Sequence, residues 1–338
     1  MEIPRTTHDF APGASLVVIE QRSLLLRKLR DFFYARKFIE VETPLLASEI
    51  IPEMHIEPIT GATTAAAAVP GSPENARQKT SWLQASPELH MKRLLAAGAT
   101  AIFQITRSFR AGEQGPLHNR EFTLVEWYRV GDNLQGGIDL LDQLSQALLD
   151  AMPAGRTTYA EAFQRALNLC PHTATIEELA AAAAASHIAV PGGMNRDEWL
   201  NLLLATRVET ELGRDRPEIV YHYPASQASL AKIVPTEAGY DVAERFELYY
   251  RGVELANGYH ELTDAAEQRR RFIAVNAARV ADGRRALPLP ESLLAALEHG
   301  LPDCTGVALG FDRLVMLAAG AATIGKVMTF PSSRDTVK

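Results

Sequence analysis

Cysteine is nearly absent from this sequence: among 338 residues only Cys170 and Cys304 are cysteines, and they lie far apart. Two cysteines without ligand spacing argue against a disulfide-stapled scaffold and a thiolate zinc site, and they fit a reducing cytoplasm. No apolar run approaches the length that spans a membrane, and residues 1–12 lack the basic and apolar regions of a secretory signal. We therefore expect a cytoplasmic protein without a membrane partner.

Clusters of basic residues are also rare. The formal net charge is −7, and the lysines and arginines are dispersed except for Arg269-Arg270-Arg271. Extensive nucleic-acid binding normally shows a basic stripe, whereas this triplet lies in a predicted helix, where a solvated face explains it. With 47% hydrophobic and 22% charged residues, the chain has the composition of a globular protein. We expect no large nucleic-acid interface.

Helical and strand patterns are interleaved along the chain without the regular rhythm of βαβ units. Apolar residues recur at helical spacing in 15–37, 138–152, 176–185, 195–212, 264–282 and 290–298. Alternating segments predict one hairpin over 102–130 and another around Arg251-Gly252. Hairpins imply an antiparallel sheet flanked by helices, which is an α+β fold. We interpret 1–338 as a single domain, with a flexible loop or insertion near 61–80.

The most informative stretch is the hairpin over 246–262. A two-residue turn at Arg251-Gly252 would pair Glu247 with Ala256 and would place both on the same face as Glu254. The two glutamates would then be diagonal neighbours about 7–8 Å apart, close enough to bracket a cation. From these residues alone, a solvated outer face is an equally good interpretation.

Two further segments suggest a cleft. Ser86-Pro87-Glu88 predicts a helix start with Ser86 as the N-cap, and Asp312 could serve as the N-cap of the helix that follows strand 305–310. The return strand of the first hairpin places a carboxylate and a phenol among apolar neighbours on one face, in a pocket or equally at a rim: Phe122, Leu124, Glu126 and Tyr128.

The charged residues that remain form a set. Arg110 ends a strand, Arg313 begins a helix, and Glu247 and Glu254 share a sheet face. Two arginines and two carboxylates suit a nucleoside triphosphate carried with Mg²⁺, because carboxylates hold the metal and arginines neutralise phosphate charge. Residues 320–326 begin like a phosphate loop, but they follow a predicted helix and lack the metal-binding hydroxyl, so we reject that interpretation.

Three segments, in order, resemble the signature motifs of class II aminoacyl-tRNA synthetases. Residues 38–44 resemble motif 1, residues 109–110 with 118–123 resemble motif 2, and residues 306–314 resemble motif 3. Residues 254–262 are similar to the lysyl-tRNA synthetase subgroup in particular. In all, the resemblance extends from residue 15 to residue 317.

One departure narrows the resemblance. Motif 1 begins close to the N-terminus, without the anticodon-binding barrel that precedes it in lysyl-tRNA synthetases. With residues 86–95 and 223–230, this architecture resembles the family of enzymes that attach (R)-β-lysine to elongation factor P. The resemblance implies an ATP-dependent ligase that forms an aminoacyl-adenylate and transfers it to a lysine side chain of elongation factor P. It also implies Mg²⁺ and a homodimer built through motif 1.

The resemblance also implies site residues. Arg110 and Arg313 would be catalytic, and Glu247 and Glu254 would hold Mg²⁺. The ATP site would comprise Arg110, Ala111, Gly112, Glu113, His118, Asn119, Phe122, Glu254, Leu255, Gly310 and Arg313. The pocket for β-lysine or lysine would comprise Ser86, Pro87, Glu88, Glu126, Tyr128, Asn257 and Glu261, with Glu261 as the partner of the side-chain ammonium.

Some questions stay open at this stage. Gly112 stands where motif 2 usually carries the glutamate that reads adenine, so either Glu113 or backbone groups take that role. Ala308 replaces a common glycine of motif 3, a change we expect to be harmless. The alternatives are a free-standing enzyme of this kind with another acceptor, such as a minimal tRNA or a small amine, and a catalytically inactive regulatory paralogue. The motifs fix neither β-lysine over α-lysine nor the acceptor surface.

Overall fold

A computed structural model of the chain describes residues 11–61, 80–186 and 193–332. The predicted insertion at 61–80 lies outside these ranges except for its two end residues. The strands are β1 (Ile39–Glu40), β2 (Leu46–Ala47), β3 (Thr60–Gly61), β4 (Ser81–Leu83), β5 (Ala101–Phe109), β6 (Glu121–Val130), β7 (Gly155–Thr158), β8 (Glu218–Pro224), β9 (Ile233–Pro235), β10 (Asp241–Tyr250), β11 (Val253–His260) and β12 (Cys304–Gly310). The helices are α1 (Leu16–Tyr34), α2 (Glu88–Ala96), α3 (Leu134–Leu149), α4 (Tyr159–Leu167), α5 (Ile176–Ala185), α6 (Arg196–Leu203), α7 (Ala265–Ala281), α8 (Glu291–Gly300) and α9 (Phe311–Ala318).

Most of the described strands belong to one sheet. Its order is β1-β5-β6-β12-β11-β10-β8-β7, with β9 paired to β10, and β2, β4 and β3 form a separate small sheet. Neighbours are antiparallel except for β1 with β5 and β7 with β8, which are parallel. The predicted α+β fold is therefore confirmed, although the sheet is mixed at both edges and not antiparallel throughout.

Helix α1 fixes the motif 1 edge of the sheet. Ser15 caps the helix by accepting a hydrogen bond from the Val18 N–H at 3.4 Å, and apolar residues at helical spacing are buried along one face. Among them, the ring of Phe33 stacks on that of Phe103 in β5 at 4.6 Å between centroids. The strand predicted after this helix is present but short, because β1 ends at Glu40, before Pro44.

The two faces of the central sheet have different surroundings. One face carries apolar side chains into the main core, where α3 packs on β10, β11 and β12 and α9 packs on β6 and β11. Helices α4 to α6 build a second core against β8. Helices α2 and α8 pack together in a third. The remaining sheet face is open to a cavity.

The hairpin of β10 and β11 differs from its predicted register. Arg251 and Gly252 both adopt positive φ, 53° and 72°, as a tight hairpin turn requires. Beyond the turn, Tyr249 pairs with Glu254 as expected, but Leu248 pairs with Ala256 and Glu247 with Asn257. Leu255 is therefore a bulge, and it turns Ala256 to the core face while Asn257 joins Glu247 on the cavity face.

Several predicted helix starts and ends were wrong. Ser86 is not an N-cap: α2 begins at Glu88 after Pro87, without a side-chain cap. Asp312 is not a cap either, because α9 begins at Phe311. The predicted helix 195–212 keeps its Asn195 cap but ends in a π turn and a 3-10 turn. Strand β7 and helix α4 were not predicted.

Candidate active site

A cavity of about 720 Å³ opens on the free face of the central sheet, against β6, β10, β11 and β12. Most residues assigned to the site by resemblance line it: Ser86, Glu88, Arg110, Glu113, His118, Asn119, Phe122, Glu126, Tyr128, Glu254, Leu255, Asn257, Glu261, Gly310 and Arg313. Four assigned residues are not among the lining residues, namely Pro87, Ala111, Gly112 and Glu247. The fold thus brings together residues from motif 2, motif 3, α2 and β11.

One end of the cavity is closed by buried acids around a single lysine. The ammonium of Lys92, 2% exposed, lies 2.7 Å from a carboxylate oxygen of Glu88 and 2.7 Å from one of Glu261. Burial pulls the pKa of Lys92 down, but the two ion pairs outweigh it and raise that pKa, so the lysine stays charged. Burial raises the pKa of Glu261 to about 7, with Glu88 adding to the shift and Lys92 opposing it.

A third carboxylate, Glu126, faces the same space. One of its oxygens accepts a hydrogen bond from the Tyr128 hydroxyl at 2.7 Å, and the other is buried without a hydrogen-bond partner among the described residues. Burial first, and then the nearby carboxylate of Glu88, raises the pKa of Glu126 well above its usual value. This end therefore holds more acid than Lys92 can neutralise, and an incoming cation would relieve the excess.

Glycine 306 makes this close arrangement possible. It pairs with Tyr128 on one side and Tyr259 on the other, in the row that crosses the cavity floor. A Cβ at this position would lie 2.2 Å from Cε1 of Tyr128 and 2.4 Å from Oε1 of Glu261. Any side chain there would push the phenol or the carboxylate out of place.

The other end of the cavity carries the two predicted arginines. Arg313 donates from Nε to the Leu117 carbonyl at 3.2 Å, and from Nη1 to the Glu254 carbonyl at 2.9 Å and to a carboxylate oxygen of the same residue at 3.3 Å. Its Nη2 lies 2.7 Å from Nε2 of His118, and burial first and then Arg313 lower the pKa of that histidine. The arginine is thus held by the motif 2 loop and by β11 together.

Arg110 is oriented by its own loop and by the ring of Phe122. Its Nη1 lies 3.3 Å from a carboxylate oxygen of Glu113, and its guanidinium carbon lies 5.0 Å from the centroid of the Phe122 ring. Glu113 therefore faces the cavity beside the motif 2 arginine, whereas Gly112 turns away with a φ of 81°. Asn119 lines the cavity too, but its side chain is engaged by the backbone of Glu121 and Ser332.

The two glutamates predicted to hold Mg²⁺ differ in availability. Glu247 is buried, and its oxygens contact Arg245 at 2.5 Å and the hydroxyls of Tyr223 and Tyr249, each at 2.5 Å. The side chain of Glu254 is 38% exposed and forms an ion pair with Arg313 at 3.3 Å. Burial and the neighbouring Glu247 raise the pKa of Glu254. Repulsion within this pair fits a cation beside Glu254, with Glu247 behind it.

In the described ranges, this cavity included, no group of three or more histidine, cysteine, aspartate or glutamate side chains is arranged to hold a metal ion. A Mg²⁺ ion in this cavity would therefore take part of its coordination from substrate phosphate and water, which is common for this ion.

Several residues of the site were not recognised from the sequence. Asp312, 1% exposed, accepts a hydrogen bond from the Thr123 N–H at 2.7 Å and pairs with Arg22 of α1 at 2.6 Å, so it ties motif 3 to motif 2 and to α1. Arg245 holds Glu247. Lys92 could have been found, since it stands four residues after Glu88 on a predicted helix, but the hydrophobic pattern gave no reason to bury it.

The sequence that builds this site matches a known family. Residues 10–334 match the family model described as tRNA synthetases class II (D, K and N), and the chain belongs to this family. Among curated relatives, a protein of Klebsiella pneumoniae named elongation factor P–(R)-β-lysine ligase is 45% identical over 331 residues, 97% of this chain and 99% of that protein. Proteins of the same name from Pseudoalteromonas translucida and Vibrio cholerae are each 44% identical, over 96% and 97% of this chain and 98% and 99% of their own lengths.

Proposed function

We propose that this protein is an ATP-dependent ligase that activates (R)-β-lysine and transfers it to a lysine side chain of elongation factor P. The observation that carries the proposal is the acidic end of the cavity. Glu88, Glu126 and Glu261 face one internal cation, Lys92, and one oxygen of Glu126 has no hydrogen-bond partner in the described part of the chain. A diamino acid brings two ammonium groups to this surplus of carboxylate. The names of relatives sharing nearly half of the residues supply the acceptor.

The first step is adenylate formation. The carboxylate of the amino acid attacks the α-phosphorus of ATP, a P–O bond forms, and pyrophosphate leaves. Arg110 and Arg313 line the end opposite the acids, where their guanidinium groups neutralise phosphate charge, and Phe122 and Glu113 offer the adenine a ring face and a polar edge. This chemistry needs positioning and charge neutralisation, so no protein nucleophile is required.

Mg²⁺ belongs to the proposal as the companion of ATP. When bound, it would offset the negative charge of the phosphates. Glu254 would hold it directly. Glu247, whose oxygens are shared by Arg245 and two tyrosines, would hold it only after releasing one of these partners.

Replacing Glu254 by Gln tests the metal assignment. We expect Mg²⁺-dependent ATP–pyrophosphate exchange to be lost while the circular dichroism spectrum and the oligomeric state stay those of the wild type, because glutamine cannot supply the negative charge. Exchange at a near wild-type rate would show that the metal lies elsewhere.

The proposed assembly is a homodimer through motif 1. Exposed apolar side chains concentrate on α1 and the strands that follow it, including Leu16 at 74%, Val17 at 73% and Ile39 at 60%. Such surfaces are commonly covered in oligomers. We further propose that the chain is a single catalytic domain that acts in the cytoplasm. In the described ranges, no helix is long and apolar enough to cross a membrane.

The overall function is tested by separating the two half-reactions. ATP–pyrophosphate exchange with β-lysine and α-lysine reports activation, and labelling of elongation factor P reports transfer. We expect exchange with β-lysine followed by labelling of a single lysine. Exchange with no amino acid would favour an inactive paralogue, and labelling of tRNA instead of elongation factor P would favour another acceptor.

A further inference from the structure

A second cavity of about 280 Å³ adjoins the first. Five residues line both cavities: Glu53, Ser226, Ser229, Ala274 and Val275. The larger cavity holds the residues proposed for ATP and the amino acid, so a third substrate needs an approach that does not displace either. The shared wall is where such an approach would meet the reacting groups.

Glu53 is the ionisable side chain in that wall, and it is held from two directions. Its backbone carbonyl accepts a hydrogen bond from Nη1 of Arg279 at 2.7 Å, and Arg279 is fully buried and also binds the carbonyl of Ile56. Its carboxylate accepts a hydrogen bond from the Ser229 hydroxyl at 3.3 Å. Protein groups therefore hold both the backbone and the carboxylate of Glu53.

The charges around Glu53 come from both ends of the active site. Burial raises its pKa to about 7, and Glu88 adds to the rise, while Arg245, Ser229 and Arg110 oppose it. On the side of the smaller cavity, Glu267 neutralises Arg271 through an ion pair of 2.8 Å. Glu53 lines the same cavity as Glu88 of the amino-acid end and Arg110 of the phosphate end, and both residues influence its charge.

The transfer to the acceptor requires a base other than Glu261, which the proposed function assigns to the ammonium of the amino acid. A lysine side chain has a pKa near about 10.4 and is an ammonium at neutral pH, with no lone pair for attack. A carboxylate is an efficient base when its pKa lies near the working pH. The phosphate-binding arginines cannot serve, because they stay protonated.

We propose that Glu53 is the general base of the transfer step and that the acceptor lysine approaches it through the smaller cavity. This inference rests on the function proposed above. Glu53 takes one proton from the ε-ammonium, and the freed amine attacks the carbonyl carbon of the adenylate. The C–N bond forms, the C–O bond to phosphate breaks, AMP leaves with that electron pair, and the second proton of the nitrogen passes to solvent. Glu53 then returns its proton to solvent.

Replacing Glu53 by Gln tests the base. ATP–pyrophosphate exchange with β-lysine should be unchanged, and this also shows that the variant is folded. Single-turnover transfer from preformed adenylate to elongation factor P should fall about 100-fold or more. Release of the adenylate by hydroxylamine, which is uncharged at neutral pH and needs no base, should keep the wild-type rate.

Two controls sharpen this result. Glu53→Asp retains a carboxylate and should recover part of the transfer rate, whereas Glu298→Gln, an exposed glutamate of α8 outside both cavities, should change neither half-reaction. In the wild type, the transfer rate should rise through pH about 7, because the base works only when deprotonated, and then level off. In Glu53→Gln this rise should disappear, and the rate should follow deprotonation of the lysine at higher pH.

The approach is tested at Ala225, which lines the smaller cavity only. Ala225→Trp should block transfer to elongation factor P while exchange and hydroxylamine release persist. Wild-type transfer in this variant would overturn the route, and wild-type transfer in Glu53→Gln would overturn the base. If the wild-type enzyme itself exchanges pyrophosphate but never labels elongation factor P, the proposed function fails instead, and this inference falls with it.

Discussion

The two ends of the active-site cavity are built in opposite ways. At the amino-acid end, Lys92 and Glu261 are paired with side chains only 2% and 1% exposed. At the phosphate end, the side chains of Arg110, Arg313 and Glu254 are 25%, 20% and 38% exposed, and the arginines contact protein groups that ATP would replace. The first end is held by buried ion pairs, whereas under the proposed function the second exchanges its partners when ATP binds.

This difference suits the two ends to separate tasks: the buried end to selecting the amino acid, and the more exposed end to binding phosphate. A buried ionic cluster is sensitive to the number and position of charges, because any unpaired charge in it is costly. It can therefore discriminate among amino acids. Partly exposed arginines discriminate less than a buried cluster, but they can release Glu113 or Glu254 and follow phosphate charge as it develops. Changes at the first end should alter stability and affinity, and changes at the second should alter rate.

The largest effect should come from removing the internal cation. Lys92→Met leaves Glu88 and Glu261 buried without their partner, and breaking a buried pair in this way costs about 3–5 kcal/mol of unfolding free energy. Chemical denaturation measures it. Lys28→Met, at a pair of 3.7 Å with both side chains at least half exposed, is the matched control and should change stability by less than about 1 kcal/mol. Equal stability of the two variants would mean that the acids are not charged.

The next effect should appear in rate alone. Arg110→Met removes a donor aimed at developing phosphate charge, and such losses lower turnover about 100- to 1,000-fold. Exchange kinetics should show this fall with the denaturation midpoint nearly unchanged. Arg285→Met, an exposed arginine outside the cavity, serves as control. If Arg110→Met lost as much stability as Lys92→Met, the proposed difference between the two ends would be wrong.

A smaller effect should appear in affinity for the amino acid. Glu261→Gln keeps the shape but removes the charge, and hydrogen bonds to charged groups contribute about 1.5–3 kcal/mol. We expect the KM for β-lysine in exchange to rise about 10- to 100-fold, while the KM for ATP stays the same. An unchanged KM for β-lysine would remove Glu261 from the ammonium site.

The smallest effect concerns the ionic group beside Glu261 but outside the cavity. Nδ1 of His260 lies 2.5 Å from Glu244 and Nε2 lies 2.8 Å from Asp303. Burial lowers the pKa of His260, but these hydrogen bonds outweigh it and raise that pKa. The charged form therefore stabilises the fold below pH about 6.5, and this contribution is lost as the pH rises through the folded-state pKa.

The measurement is the difference in unfolding free energy between the wild type and His260→Gln across pH. It should be largest in acid, shrink toward alkaline pH and stay near 1 kcal/mol or below, as for other partly exposed pairs. Exchange activity should follow the wild type. A difference that grows with pH would reverse the sign assigned to His260.

The sequence predicted well those elements whose signals are local. Strand β6 ends at Val130, where the predicted hairpin over 102–130 ends, and Asn195 and Asp264, the first residues of two predicted helical segments, cap their helices. The resemblance of three segments, in order, to class II synthetase motifs then indicated the fold. Strand β7 is only four residues long, too short to show a clear period, whereas helix α4 was not predicted although its apolar residues recur at helical spacing and Thr158 and Glu161 form a capping box.

What the sequence could not give were partners distant along the chain. Asp312 looks like a helix cap until Arg22 is seen beside it, and Lys92 looks like a surface lysine until Glu261 reaches it from β11. Glu53 follows a short strand with no periodic signal at all. Each role depends on tertiary proximity, which local propensity does not encode.

The bulge at Leu255 decides which side chains at the end of the hairpin face the cavity. Between the turn and Glu261, every side chain beyond the bulge faces the way that one extra residue dictates. Deleting Leu255 would move Asn257, Tyr259 and Glu261 to the core face together and offer Ala256, Gly258 and His260 to the substrates. A single inserted residue thus decides which face of the sheet every later residue of the strand occupies.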